Sequence, residues 1–356
     1  MMGLPPAPLA GASLEPDAMT AAERRGVKAL RESALSRLQL EDAEDASPTV
    51  GELLAPEALL RFHRARRSVQ ASTDMLVRSA AWREDIDIFA KIGQWRAEVA
   101  AGDADAEALL DVWPSGVCGV DRRGVPVFYG RYGEADMHAI VKQAGMDRII
   151  RCSLAEQRDI EDGLDAASVA AGCHLVQVIC VCDLGGLELG RARRSLRHFM
   201  SLQALLDANF PERLHVAFVV NAPWVFGQLY KLVRPLLAED TQRKVRILSK
   251  GGDHTKALEE FVPRDQIPQF LGGDHPWRAS RVGPEPRREA EAAAGPARAE
   301  PAPGKARGRE ERRACLQPCA RGPVRVAPDA VAVLEGPDAA RQTTWQCVVP
   351  ESVAVR

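Results

Sequence analysis

The sequence is poor in the features that several common activities need. Aromatic residues make up only 5% of the 356 residues, too few for the stacked platforms that hold nucleic-acid bases. Net charge is −2, so the chain as a whole has no cationic excess to set against a phosphate backbone, and no nucleic-acid partner is expected. No stretch reaches the roughly 18 consecutive apolar residues of a membrane-spanning helix. Cysteines number 8, but none forms a C-x-x-C pair and none has histidine at zinc-ligand spacing, so no metal site is expected. The patterns G-x-S-x-G, H-E-x-x-H and G-x-G-x-x-G are all missing. The run GGLELG (185–190) has the outline of a phosphate loop. Arg191 and Ala192 follow it, where a lysine and a hydroxyl residue are required. The 7 histidines are scattered, with no i,i+4 pair. No nucleophile–base set is visible, so no enzyme is expected and no catalytic residue is named.

What is present is an ordinary globular composition, 46% hydrophobic and 27% charged. The charge is unevenly placed. Residues 276–356 hold 14 basic and 10 acidic residues, a net of +4 that leaves −6 on residues 1–275. The same segment holds 11 of the 24 prolines and lacks apolar periodicity, which predicts a disordered basic tail. Residues 1–18 read as a flexible leader with no basic n-region, so the expectation is a cytoplasmic protein.

Between these ends the periodicity changes once. Thr20-Ala-Ala-Glu23 is a capping box before a helix with Val27, Leu30, Ala34 and Leu38 on one face. An acidic linker (41–48) precedes a helix starting at Pro56 and a third one capped by Ser68. Residues 19–110 form a helical lobe on this pattern. After Trp113-Pro114 come two short β runs around a turn ending in Gly124, then a helical stretch over 134–171 interrupted by Gly145 and Gly163. The segments 174–183, 191–207 and 214–220 alternate strand, helix, strand, which predicts a parallel crossover. An apolar stretch containing Trp224, Phe226, Leu229, Leu232 and Val233 follows, broken at Pro235. A last strand falls near 244–248, a last helix at 254–261, and the folded part ends at Leu271-Gly-Gly273. Cys180 and Cys182 read as small buried hydrophobes, and Arg61, Arg64, Arg66 and Arg67 as a solvated helix face. The architecture is α/β with a mixed sheet.

Five segments in order resemble the CRAL-TRIO lipid-binding family. They are LLRFHRARRSVQAS with LVRSAAWRED, then DRRGVPVFYGRYG, VICVCDLGGL, FPERLHVAFVVNAPWVFGQLYKLVRPLLAEDTQRKVRIL and PQFLGG, spanning about residues 50–273. The resemblance implies a helical lobe beside a mixed sheet that floors an apolar cavity, with a gate helix as lid. It assigns residues 111–275 to the lipid-binding domain. It implies no cofactor beyond a bound lipid, and a monomer that touches membranes transiently.

The resemblance also implies a site. Head-group contacts of phosphoinositide-binding members fall on Arg66, Glu212, Arg213 and Lys244. Cations suit a phosphate diester and the carboxylate suits inositol hydroxyls. Cavity and gate positions fall on Val178, Cys180, Trp224, Phe226, Leu229, Leu232 and Val233. Val178 and Cys180 stand where some members carry hydroxyl residues that receive choline phospholipids. The implied function is to bind phosphatidylinositol and exchange it between membranes. A retinoid, tocopherol or sterol-like cargo, or a lipid-sensing scaffold that does not shuttle, remain the alternatives.

Overall fold

The computed structural model describes residues 19–277, except 225, 235–238 and 250–253. The expected leader, most of the basic tail and the break at Pro235 therefore lie outside the described residues.

Local signals set the first helices. Thr20 accepts from the Glu23 amide (3.1 Å) while Glu23 accepts from the Thr20 amide (2.8 Å), the reciprocal cap that starts α1 (Ala21–Leu38). The acidic linker is more ordered than its composition suggests. It contains a short 3-10 turn at Ala43–Asp45, and Ser47 then caps α2 (Pro48–Leu53), a helix that charge alone conceals. The third helix, α3 (Pro56–Arg66), ends where Arg67 turns left-handed, and α4 (Val69–Asp85) follows without a side-chain cap from Ser68. Leu30, Ala34, Leu59, Phe62 and Leu76 close one core among these four helices.

The second half of the lobe belongs to a different core. In α5 (Ile88–Ala100) and α6 (Ala104–Val112), Ile92, Trp95, Leu109 and Leu110 pack with Met137 and Ile140 of α7 (Met137–Ala144) and with Ile149 of α8 (Met146–Ala171). The apolar core therefore crosses residue 110. Gly145 does separate two helices, but Gly163 does not interrupt α8. A Cβ there would lie 2.5 Å from Pro126 Cγ, so glycine is what lets the helix approach the sheet.

Among the described residues the strands are β1 (Ser115–Val120), β2 (Pro126–Arg131), β3 (Val178–Asp183), β4 (Leu214–Ala222) and β5 (Val245–Ser249). They lie side by side in chain order. The β1–β2 hairpin is antiparallel and the remaining pairs are parallel. The crossover helix is α9 (Leu189–Asn209). The remaining helices are α10 (Phe226–Val233), α11 (Glu239–Lys244) and α12 (His254–Glu259).

The two faces of the sheet differ. On one, Val127, Tyr129, Ile179, Val181, Val216, Phe218 and Val220 pack with Leu258 of α12 and with Phe261, Ile267 and Leu271. On the other, Cys180 pairs with Ala217 and Cys182 with Val219, and both thiols are part-exposed rather than fully buried. At one end of that second face, Val178 packs with Ile160 and Leu164 of α8. At the other, Phe226 of α10 joins Val219 and Ile247.

Packing continues beyond Gly273. The Trp277 ring, expected in the tail, lies edge-on to Tyr129 (5.9 Å between centroids) and Phe270 (5.2 Å). Two truncations follow. A chain ending at Trp277 should melt like the full chain, because the remaining tail composition cannot build a core. One ending at His275 should lose about 1–2 kcal/mol of stability, the worth of a partly buried large side chain. Calorimetry of the pair distinguishes the two.

Candidate functional site

The turn from α9 into β4 carries Phe210-Pro-Glu-Arg213. Glu212 adopts a left-handed backbone (φ 54°), and its carboxylate accepts from Lys244 Nζ at 3.1 Å and from the Gln177 amide at 3.4 Å. Lys244 is the last residue of α11, so this ion pair ties the entry of β4 to the entry of β5. Both side chains are about one-fifth exposed, at 18% and 23%, which leaves them reachable by a ligand.

Arg213 takes a different direction. It is buried and donates to the Gln157 carbonyl (2.8 Å) and side chain (3.1 Å) on α8, and it pairs with Glu161. The same Glu161 accepts from Arg61 Nη2 at 2.6 Å. Arg61, expected on a solvated face, is only 4% exposed, whereas Arg66 is exposed. The expected head-group set is therefore not brought together as one. Glu212 and Lys244 meet. Arg213 is engaged by α8, and Arg66 stays at the surface because α3 turns Arg61, five residues earlier, toward the interior.

Arg61 and Arg213 line a cavity of about 310 Å³ together with Arg83, Arg158, Glu52, Glu57, Asp165 and Phe210. Arg83 donates to the Asn209 carbonyl (2.8 Å) and lies over the Phe210 ring at 4.6 Å, with Arg213 over that ring at 4.9 Å. Burial draws Arg61 and Arg83 down to about 10. Burial and the neighbouring arginines draw Arg213 well below its ordinary value. Four arginines of the lining face four carboxylates, including Glu161, so the cavity is a balanced ion-pair network and not an anion cradle.

The gate positions separate as well. Trp224 is 83% exposed. Phe226 is partly buried, packs near Leu184 and Leu187, and stacks on Tyr230 with centroids 5.9 Å apart. Leu229, Leu232 and Val233 belong to α10, and their side chains lie outside the described residues. Val178 is a core residue against α8 rather than a cavity wall. Cys180 stands on the part-open face with its Sγ 3.8 Å from that of Cys182.

One polar group behind that face escapes the sequence reading. Glu156 is buried on α8 and accepts from the Ser115 hydroxyl at the start of β1. Burial raises it to about 7. Its position on the buried stripe Ile149, Cys152, Glu156, Ile160 is visible at helical spacing, but its partner is not. Two histidines also meet across α7 and α9, with His138 Nδ1 3.3 Å from His198 Nε2, so these two are not isolated.

The CRAL/TRIO domain family profile matches residues 111–273. These residues are a CRAL/TRIO domain. The chain is 27% identical over 226 residues to the Sec14 cytosolic factor of Schizosaccharomyces pombe, covering 63% of this chain and 76% of that protein. It is 27% identical over 218 residues to the phosphatidylinositol/phosphatidylcholine transfer protein SFH12 of Arabidopsis thaliana, covering 60% of this chain. Only 39% of the plant protein is spanned, so much of that relative has no counterpart in the match. The crystal structure of Sfh5 matches with a TM-score of 0.50 at 16% identity, over 69% of this chain and 85% of that one, a likeness of fold. Among the described residues, no helix of this chain is long and apolar enough to cross a membrane.

Two variants test this account of the site. Glu161→Ala strands two buried guanidinium groups and should cost about 3–5 kcal/mol, read as a lowered denaturation midpoint. An unchanged midpoint would show that the two arginines do not depend on that carboxylate. Glu156 acts through protonation. Its folded value of about 7 lies above the ordinary 4.5, so the native state holds the proton more tightly. Its stabilising contribution is complete below pH about 4.5, is lost as pH rises to about 7, and amounts to about 3 kcal/mol. Glu156→Gln should flatten that part of the stability–pH profile.

Proposed function

We propose that the chain binds phosphatidylinositol in an apolar chamber over the thiol-bearing face of the sheet, exchanges it between membranes from the cytosol, and does no chemistry on it. The CRAL/TRIO domain over residues 111–273 supports lipid carriage, and the names of the fission yeast and plant relatives support the cytosolic and phosphoinositide parts. The observation that carries the head-group assignment is the Lys244–Glu212 pair, 3.1 Å apart and partly exposed. Lysine offers a point charge to a phosphate diester, and the carboxylate offers acceptors to inositol hydroxyls.

The physical reason for a closed chamber is the cargo itself. About 30 methylenes at about 0.8 kcal/mol each make exposure cost more than roughly 20 kcal/mol. Loading must then take place with the lid displaced against a bilayer. The 83% exposed Trp224, two residues before the start of α10, suits an interfacial contact, since an indole combines an apolar body with a polar N–H.

The test is vesicle-to-vesicle transfer of phosphatidylinositol. Lys244→Ala should lower transfer tenfold or more, the equivalent of about 1.5–3 kcal/mol for a charge-assisted bond, with little change in melting temperature. Arg213→Ala is a poorer probe, because its loss also opens the buried ion-pair network. Normal transfer by Lys244→Ala would overturn the head-group assignment. Transfer of a retinoid, tocopherol or sterol instead would leave a carrier of another cargo, and stable lipid binding without transfer would leave a sensor.

A further inference from the structure

The cavity of about 310 Å³ lies apart from the thiol-bearing sheet face. Its walls come from α2, α3, α4, α8 and the turn from α9 into β4. Of the residues assigned to the lipid, only Arg213 reaches it, and it is too small for the two acyl chains of a phospholipid.

Its lining holds equal numbers of arginines and carboxylates, but they are not matched one to one. Glu161 serves both Arg61 and Arg213. Glu52 is taken by Arg158, and Glu57 by His174 Nδ1 at 2.6 Å. Arg83 is left without a carboxylate among the described residues. It is 6% exposed, uses one N–H on the Asn209 carbonyl, and keeps its Nε–H buried without an acceptor. A guanidinium has five donors, and a buried cation with no counter-charge is unfavourable until something supplies one. The reverse holds at the opening. Asp165 is exposed and has no hydrogen-bond or ion-pair partner among the described residues. Depth therefore separates the charges. Arg61, Arg83 and Arg213 are buried at the bottom, while Asp165 and the 85% exposed Val169 mark the mouth.

We propose that this cavity binds a small zwitterion, with its anionic group inward on Arg83 and its cationic group at the mouth on Asp165. A ligand of no net charge keeps the lining balanced, which a plain anion does not. A guanidinium meets a carboxylate or phosphate through two parallel bonds. Burial and the neighbouring Glu57 carboxylate push Asp165 above its ordinary range, and a cation beside them relieves that repulsion. Apolar Leu53, Phe62 and Phe210 complete the lining and suit a methylene spacer. The ligand therefore carries its charges at opposite ends, as an ω-amino acid does, and not on one carbon. Nothing in this assignment depends on lipid carriage.

Calorimetric titration and thermal melting of the full chain with 6-aminohexanoate, hexanoate and hexylamine test it. 6-Aminohexanoate should bind about tenfold more tightly than either single-charge analogue, from the second charge-assisted contact. At about ten times its Kd it should raise the melting temperature by about 3–5 °C. Arg83→Met should weaken its binding by about tenfold or more. Asp165→Asn changes an exposed, unpartnered side chain, so the fold is not at stake. It should weaken 6-aminohexanoate about threefold and leave the weaker binding of hexanoate unchanged. Phosphatidylcholine vesicles should not compete. Absence of 6-aminohexanoate binding, equal binding of hexanoate, or unaltered affinity in Asp165→Asn would each overturn the proposal. Competition by the vesicles would overturn it in favour of a lipid head group.

Discussion

The part-buried carboxylate of Glu161 is the constraint on which the assembly of this chain turns. It stands on α8 between Arg61 of α3 and Arg213 at the entry of β4, so one side chain joins the first helical core to the sheet. Burying charge is unfavourable unless each ion is paired and hydrogen-bonded, and here the geometry supplies both. Arg213 also uses the Gln157 carbonyl, and Arg83 uses the Asn209 carbonyl, so chain direction at the α9–β4 turn is fixed from two sides. An apolar contact at the same place would stabilise as well, but would not define the angle of the strand so narrowly. That angle sets where Glu212, the residue before Arg213, points.

The two faces of the sheet divide the labour that follows. One is sealed by α12 and the segment running to Trp277, with fully buried Ile179, Val216 and Phe218. The other is closed at its ends by α8 and α10 and keeps part-exposed thiols between them. A strand with residues alternating between a sealed and an accessible side is what a carrier needs, since stability and cargo contact then make no demand on the same side chains. Gly163 and Gly130 serve this layout at close approaches. The first lets α8 touch Pro126, and the second lets Tyr132 lie across β2.

The sequence made local features legible and hid those that depend on distant partners. The Thr20 capping box, the helix start at Pro56, the crossover through α9 and the strand at 214–220 all stand where period and capping residues put them. The acidic composition of residues 41–48 concealed α2, whose cap at Ser47 and first-turn proline were the better signals. Arginines at 61 and 66 look alike in the motif. Only the fold, by setting Glu161 100 positions away against Arg61, decides which is buried. Glu156 is legible as a polar interruption of an apolar stripe, while Ser115 as its partner is not. Cys180 and Cys182 read as small buried hydrophobes in the sequence because an apolar run on both sides masks the alternation that the sheet enforces.

These features converge on one claim, that the accessible face holds a lipid and the Lys244–Glu212 pair reads its head group. Native mass spectrometry of the gently purified full chain, with lipid identification, tests it most directly. The account predicts one phosphatidylinositol per chain, displaced on incubation with vesicles. Purified protein carrying no lipid, and taking none up from phosphatidylinositol vesicles, would contradict it.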